Sequence, residues 1–290
     1  MVSRLHCCRA SAGMASSAIF LVAVVIVTLA LPHTAEATER FYVLYRQWQP
    51  YDQQDLERSA SEISRSERGL GWHSRDSSSS LAVLYDYQTL GLQDGEPAHN
   101  GHLHRLTFGG EGRYRLYRVE ARAGLAGTSN MFKYRDFHND VLNGRIALFR
   151  TVNEEAALSI GIGGDHRFGS FRWLPRVRWE TAHSSGQWLL DLPVLLRWQG
   201  PGRRWQFRFE REGDRWATLD SARQLEGTLY LNEWRTELTY RLNSGGRLWP
   251  AVILGIGASL DTRVRYEDVE RGTVDPDLGN AALGSIRLEW

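Results

Sequence analysis

The chain has 290 residues, 35 basic and 34 acidic, with a formal net charge of +1 and with 42% hydrophobic and 11% aromatic residues. The neutral balance argues against nucleic acid, whose binders carry a basic excess, and the aromatic content argues against disorder. No run in the body of the chain reaches the 18 or so apolar residues of a spanning helix, which argues against a helical membrane protein, and the length suits one large β domain or two ordinary ones.

Residues 1–37 read as a cleaved signal peptide. Arg4 and Arg9 supply a positive region, Ala18 to Leu31 a short apolar run broken by Pro32, and Ala35-Glu36-Ala37 a small-x-small cleavage pattern. The mature chain is then expected to begin at Thr38 and to form a single domain over 38–290. Cleavage removes Cys7 and Cys8, which leaves no disulfide, zinc-thiolate site or cysteine nucleophile. The remaining charge is 33 basic against 33 acidic residues, and every base but Lys133 is arginine, a residue suited to fixed multidentate ion pairs.

Phe41 to Trp48 reads as a first strand, and 50–80 as a long polar loop with a possible short helix around Leu56 to Ile63. From Leu81 onward, large apolar residues alternate with full charges. Tyr117, Val119, Ala121 and Ala123 oppose Arg118, Glu120 and Arg122. Val177 and Trp179 oppose Arg176, Arg178 and Glu180. Trp205, Phe207 and Phe209 oppose Arg208 and Glu210, and Trp234 and Leu238 oppose Arg235 and Glu237. This period of two, with charge on one face, is the signature of a transmembrane barrel strand.

The stretch Trp188 to Trp198 (WLLDLPVLLRW) puts Trp188, Leu190, Leu192, Val194, Leu196 and Trp198 on one face. As a single strand it would run roughly 33 Å, or about 25 Å when tilted by about 40°, the height of a lipid-facing band with an aromatic residue at each interface. Trp205, Trp234 and Trp290 also fall near strand ends, where an indole prefers the headgroup level. Short Gly-rich connections at 184–186, 199–202, 213–214 and 243–246 suit a meander. The last strand alternates Gly284, Ile286, Leu288 and Trp290 with Ser285, Arg287 and Glu289 and ends on an aromatic residue.

The expected fold is therefore all-β, an antiparallel up-and-down transmembrane β-barrel of about 12 strands, within 10–14, in the outer membrane. Under this count the long segments 50–80 and 127–143 fall at opposite ends, which requires either a miscounted strand or a segment folded into the lumen. From Leu158 onward, GIGGDHRFG (Gly161 to Gly169), the Leu174-Pro175 strand start, WLLDLP (Trp188 to Pro193) and the aromatic terminus resemble the uncharacterised bacterial outer-membrane β-barrel families of unknown function. The resemblance implies fold and location and transfers no catalytic residue. It also implies that the barrel-insertion machinery reads the terminal strand.

The charged face admits two compatible readings. Arg118, Glu120, Arg122, Arg176, Arg178, Glu180, Arg208, Glu210, Arg235 and Glu237 pair into ladders, or they line a narrow path for small polar solutes, with arginine favouring anions. The rival class is a surface lipid hydrolase. His183 and Ser185 share a face with Glu180 nearby, the minimum for nucleophilic catalysis, with a faint resemblance to lipid A deacylases. His102 and His104 share a strand face and could hold a metal with Asp86 or Glu111. A third reading, a secreted soluble β protein, would bury the apolar faces instead. The expectation is a monomer in outer-membrane lipid, with no cofactor or metal.

Overall fold

A computed structural model describes residues 38–51, 63–91, 102–134, 137, 139–168, 170–220, 225–246, 248–268, 272–275 and 277–290. The signal peptide expected at 1–37, and most of the helix expected from Leu56, lie outside the described residues. None of the described helices is long and apolar enough to cross a membrane.

The strands are β1 (Thr38–Trp48), β2 (Ser64–Arg75), β3 (Ser79–Gly91), β4 (His102–Tyr114), β5 (Tyr117–Thr128), β6 (Leu142–Asn153), β7 (Leu158–Asp165) and β8 (Arg172–His183). They continue with β9 (Gly186–Leu192), β10 (Leu195–Gln199), β11 (Trp205–Asp220), β12 (Leu225–Arg241), β13 (Ala251–Asp268), β14 (Gly272–Val274) and β15 (Asp277–Glu289). A short helix α1 (Ser129–Tyr134) follows β5. Each strand pairs antiparallel with its neighbour, β13 pairs β15, and β15 returns to β1 from Tyr42↔Glu289 to Trp48↔Leu283. The result is an up-and-down ring of 14 strands, with the three-residue β14 folded back on the end of β13. Closure leaves no strand of the ring without a partner on either side, which is how a sheet stands in lipid; the loop-side halves of β8 and β11 are the exception.

The ring turns its apolar face outward. Ile256 is 70% exposed, and Ile160, Ile162, Leu148, Phe108 and Val177 are exposed elsewhere on the outer wall, while Glu233 is 0% exposed inside. Along β12, Leu229, Leu231, Glu233, Arg235 and Glu237 are buried, while Trp234 and Leu238 on the alternate face are less so. A soluble sandwich has the opposite arrangement, so the secreted soluble reading loses its basis.

Three strand assignments need correction. The segment read as a loop over 50–80 contains β2, whose inner face carries Arg65, Glu67, Gly69 and Gly71. A Cβ on Gly71 would meet the Tyr42 ring at 2.2 Å, so glycine is needed for that ring to lie against β2, and the missing side chains hide the alternation. With β2 in place, the connections after β1, β3, β5, β7, β9, β11 and β13 share one end, called here the loop end, and the short turns and both strand termini share the other. The end-parity conflict disappears.

Trp188 to Trp198 is not one strand but the β9–β10 hairpin, turning at Pro193-Val194. Trp188 pairs with Trp198 and Leu190 with Leu196. The sequence is nearly palindromic, so Trp188, Leu190, Leu196 and Trp198 share a face whether extended or folded; Val194, expected on that face, is instead fully buried at the turn, where Pro193, lacking an N–H, also belongs. Both tryptophans therefore stand at the turn end, ring centroids 6.1 Å apart, rather than at opposite interfaces. Gly213-Asp214, read as a turn, lies inside the continuous strand β11.

The short hairpin shapes the interior. It ends opposite Val177 of β8 and Glu210 of β11, so the loop-side halves of β8 and β11 have no hairpin between them. There β11 swings across the lumen and meets β5 in a parallel bridge at Ala217↔Gly127. The β7–β8 turn tucks in beside it: a Cβ on Gly213 would lie 2.5 Å from the Arg167 backbone, and Arg211 Nε donates to the Arg167 carbonyl at 3.3 Å. Trp48, Leu90, Leu103, Trp216, Leu229, Leu231 and Tyr266 pack into an apolar layer across the loop end. On the other face of β11, Ala217 and Leu219 pack on Met131 and Val141.

Candidate functional site: the charged lumen

Below the apolar layer the lumen is polar and braced from wall to wall. Nearest the layer, Glu233 of β12 accepts from Arg65 of β2 at 2.6 Å and from Arg235 at 2.5 Å. The Arg65 guanidinium lies 4.1 Å over the Trp48 ring, joining this charge cluster to the apolar layer. Arg46 bridges Glu67 and Glu237 at 3.2 and 3.1 Å. Further toward the turn end, Arg105 pairs with Asp86 at 2.9 Å and with Asp214, and Arg145 pairs with Asp214 at 3.2 Å. A third lattice joins β5 and β8, with Arg118 to Glu180 at 2.8 Å and Arg178 to Glu120 at 2.6 Å. Arg176 adds a bond to Asp191 at 2.7 Å.

Between these braces lies a polar cavity of about 240 Å³, lined by Arg46, Arg105, Arg122, Arg145, Arg208, Arg235 and Arg287 against Glu67, Asp86, Glu210, Glu212 and Asp214. Seven cations face five carboxylates. Arg122 projects from β5 into this space, and among the described residues no carboxylate pairs with it. Among the described residues Arg208 pairs only with Glu210, at 2.5 Å, and its side chain stays 41% exposed. His166, from the β7–β8 turn, also lines the cavity. Burial and the nearby Arg215 charge hold its pKa down at about 4, so it adds no cation at neutral pH. The lumen opens gradually toward the turn end, where the Glu180 and Arg113 side chains are 39% and 45% exposed.

All ten charged residues read from the alternation as one lumen set lie on the inner face of their strands. Eight further lining residues, Arg46, Glu67, Asp86, Arg105, Arg145, Glu212, Asp214 and Arg287, fall outside that set. Most were visible by the same parity, but Glu67 sat in the presumed loop, and Glu212 and Asp214 beside the presumed turn. Of the expected interface aromatics, Trp205 packs against Tyr240 with ring centroids 4.5 Å apart at the turn end. Trp234 instead stacks on Phe209 well inside β12, opposite Arg211.

The hydrolase candidates are not brought together. Glu180 faces inward, bound by Arg118 and Arg178, whereas His183 is on the opposite face of β8 with Nε2 3.2 Å from Thr181 Oγ1. Ser185 takes part through its carbonyl, which accepts from Trp198 Nε1 at 3.2 Å. His102 and His104 face outward, bonded to Tyr87 and Tyr85, while Asp86 faces the lumen. No metal-binding group of three such residues forms among the described residues.

No family model and no curated relative matches the chain. Among solved structures it is similar to the translocator domain of autotransporter NalP from Neisseria meningitidis, at 10% identity, covering 97% of this chain and 96% of that one, with a TM-score of 0.32. It is also similar to an outer membrane channel from Pseudomonas putida F1, at 10% identity over 90% and 100% of the two chains, TM-score 0.37. A third is the outer membrane protein opdK from Pseudomonas aeruginosa, at 7% identity over 89% and 99%, TM-score 0.30.

Proposed function

We propose that this protein is a monomeric outer-membrane barrel with a narrow lumen for small polar solutes, anions before cations, held closed at the loop end by the apolar layer. The observation that carries this reading is a wall apolar outside and charged inside around a cavity of about 240 Å³. A barrel kept only for its wall has no need of Arg122, which faces the cavity without a carboxylate partner among the described residues. Desolvating an anion there is offset by guanidinium groups already in place. The orientation that fits this reading puts the end with the short turns at the periplasmic side, with the longer connections and the apolar layer facing outward. An exported precursor, cleaved before Thr38 and delivered through its terminal aromatic strand, fits this reading.

The test uses a variant opened at the loop end, Leu103→Ala with Trp216→Ala, in planar bilayers under a KCl gradient. The reversal potential should show chloride preference, and adding Arg122→Glu and Arg208→Glu should move it toward potassium. A reversal potential unchanged by both charge reversals would remove the cavity arginines from any conducting path.

A further inference from the structure

On the outer wall, away from the lumen, a chain of hydrogen bonds links a serine, a histidine and a tyrosine. Ser129 Oγ is 2.7 Å from His104 Nε2, and His104 Nδ1 is 2.8 Å from Tyr85 Oη. The three residues come from α1, β4 and β3. His104 and Tyr85 are outward-facing positions of adjacent strands, and Ser129 reaches them because α1 lies tight on β5. That packing depends on Gly127, where a Cβ would meet Met131 Sδ at 3.2 Å and Phe132 Cε2 at 3.7 Å. Phe132 meets the His104 ring edge-on at 5.6 Å, and Tyr87 packs on it at 5.0 Å, so the imidazole is held in one orientation.

The position matters as much as the geometry. His104 stands opposite Gly127 in the β4–β5 ladder, two residues from the pair Leu106↔Leu125. That is about 5 Å in height along a strand tilted by about 40°. Leu125 and Tyr85 are 42% and 37% exposed on the outer wall, and Phe132 and Phe137 expose a further apolar patch at the same end. The chain of bonds therefore lies on the outer wall beside exposed apolar side chains, toward the loop end.

We propose that Ser129 and His104 form a nucleophile–base dyad acting on acyl esters of membrane lipid, with Tyr85 as the positioning residue. With the Nδ1 proton given to Tyr85 Oη, Nε2 is free to accept the Ser129 hydroxyl proton. Ser129 Oγ then attacks the ester carbonyl carbon, and His104 returns the proton to the leaving alcohol oxygen as the acyl C–O bond breaks. Water, deprotonated by His104, next cleaves the acyl-Ser129 ester. The balance is ester plus water to fatty acid plus alcohol. The exposed phenylalanines give the acyl chain an apolar surface beside the nucleophile. This activity is independent of conduction through the lumen.

The test is labelling of the full, folded barrel in detergent micelles by a long-chain alkyl fluorophosphonate, read by mass spectrometry on the peptide Ala123 to Lys133. Ser129 should carry the label, and the same protein should release p-nitrophenol from p-nitrophenyl dodecanoate. His104→Asn should slow both by about 100-fold or more, the scale of a lost general base. Tyr85→Phe should lower the rate at saturating probe and leave the half-saturating concentration unchanged. Ser185→Ala should leave both rates unchanged. Heat-modifiable mobility in detergent confirms that each variant is folded. A folded wild type that stays unlabelled, or labelling that survives His104→Asn, would overturn the dyad and leave a hydrogen-bonded interface cluster.

Discussion

Replacing Glu233 by Gln tests whether the loop end is sealed from water. Glu233 is 0% exposed and holds two guanidinium groups, Arg65 at 2.6 Å and Arg235 at 2.5 and 3.0 Å. Gln keeps the volume and removes the charge. Arg235 retains Glu67 only at 4.0 Å, and Arg65 loses its one carboxylate among the described residues. A buried cation left without its partner costs about 3–5 kcal/mol, whereas a hydrated pair is worth less than about 1 kcal/mol. With a urea m-value of about 3 kcal/mol/M, the larger cost lowers the unfolding midpoint by roughly 1 M or more. Tryptophan fluorescence of the protein folded in phospholipid vesicles reads this midpoint. Adding Arg65→Met to the Gln variant removes the orphaned cation and should recover part of the loss. A shift below about 0.3 M for Glu233→Gln would mean that water reaches the pair and that the apolar layer does not close the lumen.

Ile256→Arg distinguishes a lipid-facing wall from a soluble one: Ile256 is 70% exposed, and an arginine there should cost about 2–4 kcal/mol in a bilayer, against less than about 0.5 kcal/mol at an ordinary wet surface, measured as the same urea midpoint. At the β2–β3 turn, Asp76 accepts from the Ser79 hydroxyl and from the Ser78 and Ser79 amides, which lowers its pKa to about 2. Its folded value lies below the unfolded one of about 3.9, so its contribution is full above pH 4 and is lost as pH falls through 2. NMR shifts of the Ser78 and Ser79 amides should therefore titrate near pH 2, and an inflection near pH 4 would refute the cap.

The alternation along β5, β8, the Trp205–Glu210 part of β11 and the Trp234–Leu238 part of β12 was enough to recognise a barrel, because the charged residues there project to the lumen and the large apolar ones to the outside, whereas Trp216, Leu229 and Leu231 turn inward to form the apolar layer. It failed where another constraint imitates or masks the period. The palindrome around Pro193 repeats one face pattern in both arms of a hairpin, so period alone cannot tell a turn from a continued strand. Along β2, glycine replaces the side chains that would have marked the inner face, to admit Tyr42. At Gly213 the glycine marks close backbone contact with Arg167 rather than a turn. Strand β2 in the presumed loop and the division of Trp188 to Trp198 into β9 and β10 both raise the count, and the ring has 14 strands where about 12 were expected. The crossing of β11 was illegible for a different reason. It follows from the shortness of β9 and β10, a three-dimensional consequence of a neighbouring hairpin. The Ser129–His104 contact likewise joins residues 25 apart through strand register.

The central claim, a polar lumen closed by one apolar layer, is tested most directly by single-channel conductance in planar bilayers of the wild type beside Leu103→Ala with Trp216→Ala. The account predicts a mostly silent wild type and steady conductance once the layer is cut back, with both proteins heat-modifiable in detergent. A folded, inserted double variant that conducts no more than the wild type would contradict it, and so would a wild type that is continuously open.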